Sequence, residues 1–202
     1  MAVCLNRYSP SYGIEAIGYE TVHNPVYDER KTIYSSFCAR DRFPEDDDLC
    51  ISCGDIVYDR SVVEALRNCD APLCVVIDSE WRRLWELRFD DPLSDAETLR
   101  IEDDRVVEIG AEPSGYEEID GQYIGLIKVR RDYVDEFVDA YDSLDQSSIH
   151  MTRFIQHLID TGWQVAPVEI DGGWLEVDTL EDLEVYRSSS ETGQHSKHLS
   201  VL

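Results

Sequence analysis

Leu49-Cys50-Ile51-Ser52-Cys53-Gly54-Asp55, then Ser61-Val62-Val63-Glu64, then Leu73-Cys74-Val75-Val76-Ile77 is the stretch that decides the fold. The first run is apolar enough for a strand and ends at Gly54-Asp55. Ser61 and Glu64 have the spacing of a capping box, which predicts a helix through about Cys69. Leu73 to Ile77 is short and continuously apolar, as a strand covered on both faces must be. Strand, helix and strand in this order predict a right-handed crossover between parallel strands, the unit of an α/β sheet.

Outward from this core the pattern continues. Thr98 to Glu102 and Arg105 to Ile109 alternate around Asp103-Asp104 and read as a hairpin. Gln122 to Val129 reads as a strand, and Tyr133 to Leu144 and Thr152 to Asp160 as amphipathic helices, the second closed by Gly162. Val165 to Ile170 and Trp174 to Val177 are strands around Asp171-Gly172-Gly173, and Thr179 opens a last helix. Upstream, Ile33, Tyr34, Phe37 and Cys38 recur at helical spacing between Lys31 and Phe43. The expected organisation is a weakly periodic segment over 1–20, one α/β domain over 21–187 and a disordered tail over 188–202, with no repeat.

The formal charge is -25, with 15 Arg and only 3 Lys. Such a chain is disfavoured as a nucleic-acid binder. High acidity with scarce Lys is the composition of a protein that works in concentrated salt, where the Debye length falls to about 3 Å at 1 M. No run approaches a membrane span, and the N-terminus lacks a signal-peptide layout, so a cytoplasmic, halophilic protein is expected. The six Cys sit mostly in apolar segments and predict reduced thiols without disulfides. Cys50-x-x-Cys53 has no second ligand pair and lies within a strand pattern, which favours packing over zinc or redox chemistry.

Asp55 and Asp178 each follow a predicted strand, and strand ends of a parallel sheet converge on one crevice. Two such acids can hold one Mg²⁺ against a nucleotide's phosphates. Glu176, two residues before Asp178 on the same strand face, is a third candidate ligand. Tyr123 and Trp174 lie beside these motifs as candidate walls of an acceptor site. For Arg82, Arg83 and Arg88 the expected role of each is salt bridging to the surrounding Asp and Glu, with facing the crevice as the alternative for one of them, and the pattern does not say which.

In order and spacing the chain resembles the sugar-phosphate and phosphocholine-type nucleotidyltransferases. The matching stretches are Thr21 to Pro25, Ile51 to Tyr58 around Gly54-Asp55, Asp90 to Leu99, Gly121 to Leu126, and Gly172 to Thr179. The resemblance spans roughly residues 21 to 187. It implies a Rossmann-like, mixed and mostly parallel sheet with flanking helices, related to the GT-A fold. It also implies that Asp55 and Asp178 bind the catalytic Mg²⁺. The activity implied is transfer of a nucleoside monophosphate, CMP from CTP by likeness to the phosphocholine branch. The acceptor would be a small phosphate or phosphonate, and pyrophosphate would be released.

Members of that family open with a strand, a glycine-rich loop, an Arg and a Pro-Lys pair that together cradle the triphosphate. Nothing before Tyr19 matches; Met1 to Leu5 could form a strand, but Asn6 to Pro10 contains no glycine. The resemblance therefore implies a member lacking the first strand and the loop, with impaired activity. The rival readings are a non-catalytic binding or assembly remnant of the fold and a GT-A glycosyltransferase.

Overall fold

The computed structural model describes residues 2–5, 20–26, 32–145 and 149–191. The expectations for 6–19 and 192–202 lie outside the described residues. At the centre is a four-stranded sheet in the order β3 (Leu49–Ser52), β8 (Gln122–Val129), β5 (Leu73–Asp78), β9 (Val165–Ile170). β8 is antiparallel to both β3 and β5, whereas β5 and β9 are parallel. Three of the four strands thus run in one direction and the sheet is mixed, as the resemblance implied. The crossover from β3 through α2 (Arg60–Arg67) to β5 joins like-directed strands, but β8 is inserted between them.

β5 explains the layering. All six of its residues are buried, and successive side chains point to opposite faces. Leu73, Val75 and Ile77 join one apolar cluster with Ile33, Phe37, Phe137, Phe154 and Leu158. That face is covered by α1 (Thr32–Cys38), α4 (Val134–Asp142) and α5 (Met151–Asp160). Cys74 and Val76 join the other cluster with Val62, Leu66, Trp81, Trp85, Trp174 and Tyr186. Here the covering helices are α2, α3 (Trp81–Arg88) and α6 (Leu180–Glu191). The result is a sheet with helices on both faces.

Ala2–Leu5, which the pattern left open, forms β1 and pairs in parallel with β2 (Glu20–His23). The hairpin of β6 (Leu99–Glu102) and β7 (Arg105–Ile109) turns on Asp103 and Asp104, both at positive φ (49° and 58°). That conformation matches the right-handed twist of the strands. α5 ends as its sequence predicts: Gly162 at φ +96° donates to Ile159 O, and Trp163 N donates to Leu158 O, a Schellman closure.

Three expectations are corrected. The Ser61/Glu64 capping box does not form; α2 starts at Arg60 after Asp59, and Glu64 pairs with Arg60 instead. α6 continues to Glu191, beyond the expected end at Arg187, with Ser189 buried although the segment has no apolar period. Disulfides were not expected, yet Cys69 and Cys74 are bonded, because the turn after α2 folds back onto the first residues of β5. Nor are the remaining described thiols uniformly buried, since Cys50 is exposed. Among the described residues no helix is long and apolar enough to cross a membrane.

Candidate functional site

The site is built where the chain leaves the central sheet. β3 stops at Ser52, and Cys53 N donates to Gly125 O at 2.8 Å. Gly125 has φ +85°, and a Cβ there would lie 2.7 Å from the Cys53 sulfur. Only glycine allows this close passage without strain. Gly54 and Asp55 then lead into β4 (Ile56–Tyr58), which pairs antiparallel with β10 (Trp174–Glu176) in a separate ribbon. Glu176 is opposite Ile56, and one step further Val177 N donates to Asp55 O at 2.9 Å.

Asp55 and Asp178 therefore emerge from neighbouring positions of one ribbon. The expected geometry is corrected in one respect: Asp55 does not end a strand of the parallel sheet but sits in the bend before β4. Pairing of two short strands, rather than convergence of parallel strand ends, makes the two backbone positions neighbours.

The turn from β9 into β10 depends on a residue that sequence reasoning missed. Asp78, fully buried at the end of β5, accepts hydrogen bonds from Glu80 N and Gly172 N, both 3.0 Å, and from Trp174 Nε1 at 2.9 Å. Gly172 and Gly173 both have positive φ (82° and 77°). The buried carboxylate holds the amides of a turn that only glycines enter freely, and so sets where β10 begins. Its signal was present: an Asp immediately after a continuous apolar run.

Around the ribbon end the acids gather on one cation, Arg88, the last residue of α3. Its side chain is 1% exposed. Nη1 donates to Glu176 Oε2 at 2.6 Å, Nη2 to Asp178 Oδ2 at 2.6 Å and Nε to Asp182 Oδ1 at 3.0 Å. Asp182 Oδ2 in turn accepts from Asp178 N, Thr179 N and the Thr179 hydroxyl, while Asp182 N donates to Thr179 Oγ1. This reciprocal cap at the start of α6 fixes the backbone that carries Asp178. Beyond the backbone bond from Val177 N to Asp55 O, the Asp55 carboxylate makes no hydrogen bond or ion pair among the described residues.

The local field is strongly negative. Burial, reinforced by the charges of Asp55, Glu176 and Asp178, pushes the Cys53 thiol up to about 12, so it stays protonated and unreactive. Glu176 is raised, first by burial and then by Asp178 and Asp55, with Arg88 opposing. Asp95 is raised by burial and by Asp178 and Asp182, again against Arg88. Asp182 is lowered: the hydrogen bonds from Arg88 and Thr179 outweigh its burial. For Arg88 burial disfavours the cation, but its bonds to Glu176 and Asp182 prevail and it stays charged.

The other candidate residues separate clearly. Tyr123 is partly buried on β8 opposite Ile77; burial raises its phenol, with Cys53 and Glu97 adding to it. Trp174 is 1% exposed and packs against Trp85 with ring centres 6.1 Å apart. Its place is in the core, as is that of the edge-to-face pair Trp81 and Trp85. Arg82 pairs with Glu86 and lies 4.0 Å over the Tyr116 ring, and Arg83 pairs with Glu80, leaving Arg88 as the arginine at the acids. Among the described residues no three His, Cys, Asp or Glu side chains form a metal cage by themselves.

No protein-family model matches the chain. It is 37% identical over 194 residues to the CTP:phosphoglutamine cytidylyltransferase of Campylobacter jejuni, covering 90% of this chain and 75% of that protein. The fold is similar to the inositol-1-phosphate CTP transferase from T. maritima, with TM-score 0.69 at 19% identity over 94% of this chain and 74% of that one. It is also similar to a protein of Bacillus anthracis assigned as a glucose-1-phosphate thymidylyltransferase, with TM-score 0.63 at 14% identity over 96% of this chain and 76% of that one. Common ancestry over most of both sequences, on a shared mixed sheet, makes the chain a member of the sugar-phosphate nucleotidyltransferase family.

Proposed function

We propose that this protein is a Mg²⁺-dependent cytidylyltransferase that transfers CMP from CTP to a small phosphorylated acceptor and releases pyrophosphate. The observation that carries this reading is the β4–β10 pairing, which makes Asp55 and Asp178 neighbours next to an excess of negative charge. The donor set fits a hard divalent cation: two aspartates on rigid backbone, with substrate oxygens and water completing the shell. Asp55 and one oxygen of Asp178 would hold the ion. When bound, Mg²⁺ would neutralise the triphosphate and align it for in-line displacement.

In the transfer, an oxygen of the acceptor phosphate forms a bond to the α-phosphorus of CTP. The bond from that phosphorus to the bridging oxygen breaks, and pyrophosphate leaves with the electron pair. The chain supplies position and electrostatics. Asp78 and the glycine turn hold β10, the Asp182 cap holds Asp178, and partly exposed Tyr123 walls the acceptor side. Trp174 supports the ribbon from within the core rather than meeting substrate.

The use of CTP and of a phosphorylated acceptor is supported by the relative from Campylobacter jejuni, whose acceptor is phosphoglutamine. The acidic surface supports work in concentrated salt, and the need for CTP supports a cytoplasmic site of action. The test is pyrophosphate release from each nucleoside triphosphate with phosphoglutamine or phosphocholine, in molar KCl with Mg²⁺. Release from CTP with one of these acceptors is the expected result. Release with no acceptor or triphosphate preference, or transfer of a sugar without pyrophosphate, would overturn the reading.

A further inference from the structure

Arg88 directs its three side-chain nitrogens to three different carboxylates from β10, the residues after it and α6. A planar guanidinium can do this, whereas the single ammonium of a lysine is a point charge without the fork. Its location at the C-terminal end of α3 also suits a cation. Yet one positive charge cannot neutralise Glu176, Asp178 and Asp182 together, and Asp55 is not among the acids that Arg88 contacts. The acids are thus divided into those Arg88 retains and those still open.

We propose that Arg88 is a positioning residue that selects which carboxylates can meet a divalent cation. It retains Glu176, Asp182 and one oxygen of Asp178, and leaves Asp55 and the second oxygen of Asp178 as the face presented to the ion. This deepens the Mg²⁺ reading above and rests on it. Arg88 acts twice on Asp178, directly through Oδ2 and indirectly through Asp182, which holds the Asp178 and Thr179 amides. Glu176, which by sequence looks like a third ligand, is by this account a partner of Arg88.

Mn²⁺ binding to the purified chain, followed by loss of the free-ion electron paramagnetic resonance signal, tests the proposal without any turnover. Glu176→Gln should bind Mn²⁺ within about twofold of the parent, because the carboxylate it removes is already held. Arg88→Gln frees Glu176 and should bind Mn²⁺ about tenfold more tightly, the order expected when one more carboxylate charge becomes available to the ion. The double variant Arg88→Gln/Glu176→Gln should lose most of that gain.

A tenfold weakening in Glu176→Gln would make Glu176 a ligand and overturn the proposal. So would no gain in folded Arg88→Gln, or a gain that survives in the double variant, which would mark a general charge effect. Should Arg88→Gln fail to fold, Glu176→Gln alone decides. Asp55→Asn separates the two claims: undiminished Mn²⁺ binding there sinks the metal reading itself, whereas a loss there with a tenfold loss in Glu176→Gln sinks only the role of Arg88.

Discussion

Among the described residues of this very acidic chain two cationic side chains are buried, and they are neutralised in different ways. Lys128, 3% exposed on β8, donates to the carbonyls of Arg67, the last residue of α2, and of Cys69 just beyond it, and lies 3.3 Å from Asp48. Those carbonyls have no helical partner of their own, and the helix C-terminus is a site of partial negative charge. Arg88 at the ribbon is surrounded instead by full carboxylates that exceed its charge. Around Lys128 the groups are satisfied and the charge is close to balanced. Around Arg88 a negative excess persists that would be costly unless a further cation or substrate group shares it. A buried charge with balanced partners serves the fold, and one with unbalanced partners points to a ligand.

The largest effect that tests this contrast is at the ribbon. Asp55→Asn or Asp178→Asn should lower pyrophosphate release by about a thousandfold, the scale of several kcal/mol of lost transition-state stabilisation. Far-ultraviolet circular dichroism should be unchanged. Equal turnover in either variant would remove the distinction between the two regions.

Lys128→Met should act on folding alone. It leaves two carbonyls without their donor, at a cost of about 1–3 kcal/mol each when such groups stay buried. Urea denaturation should report that loss, while turnover per folded molecule stays the same. A changed turnover would mean that the Lys128 region also serves the site.

Next to Lys128, opening the Cys69–Cys74 bond by reduction or by Cys69→Ser/Cys74→Ser should cost about 2 kcal/mol, as expected for so short a loop. A denaturation midpoint indifferent to reductant would show that packing of the turn suffices.

The smallest effect concerns pH. Burial tends to raise Asp48, but hydrogen bonds from Arg131 N and Lys128 outweigh it and hold its carboxyl below the ordinary range. A carboxyl lowered by folding stabilises above its unfolded value, about 3.9, and loses that contribution as pH falls through the lowered value. The stability gap between the parent and Asp48→Asn should therefore be largest near neutrality and close below about pH 4. Because the Asp48 side chain is 35% exposed and screened by solvent the gap is small, and a gap that widens in acid would contradict the assignment.

Much of the architecture was legible because it rests on local periodicity. Leu73 to Ile77 read as a strand buried on both faces, Asp103-Asp104 marked the hairpin, and Gly162 closed α5. The misread start at Ser61 gave way to another local pair, Glu64 with Arg60 four residues away, whereas at Arg187 tertiary packing replaced the local signal, since Ser189 found shelter without an apolar period. At the site, Asp55 and Asp178 were recognisable by motif, but Asp78 was passed over. Trp174 looked like an acceptor wall because its burial depends on Trp85, far away in the chain.

From the sequence alone follow the α/β class, the order of its elements, the acidity and the two aspartates worth testing, since each depends on residues close together or on composition. Only the tertiary structure decided that β4 and β10 pair outside the main sheet, that Cys69 meets Cys74, and that Arg88 rather than Arg82 or Arg83 faces the acids. The ribbon and the Arg88 contacts join residues about a hundred positions apart, and even the five-residue step from Cys69 to Cys74 closes only because the turn folds back onto β5; no local pattern encodes which of these partners a side chain will meet.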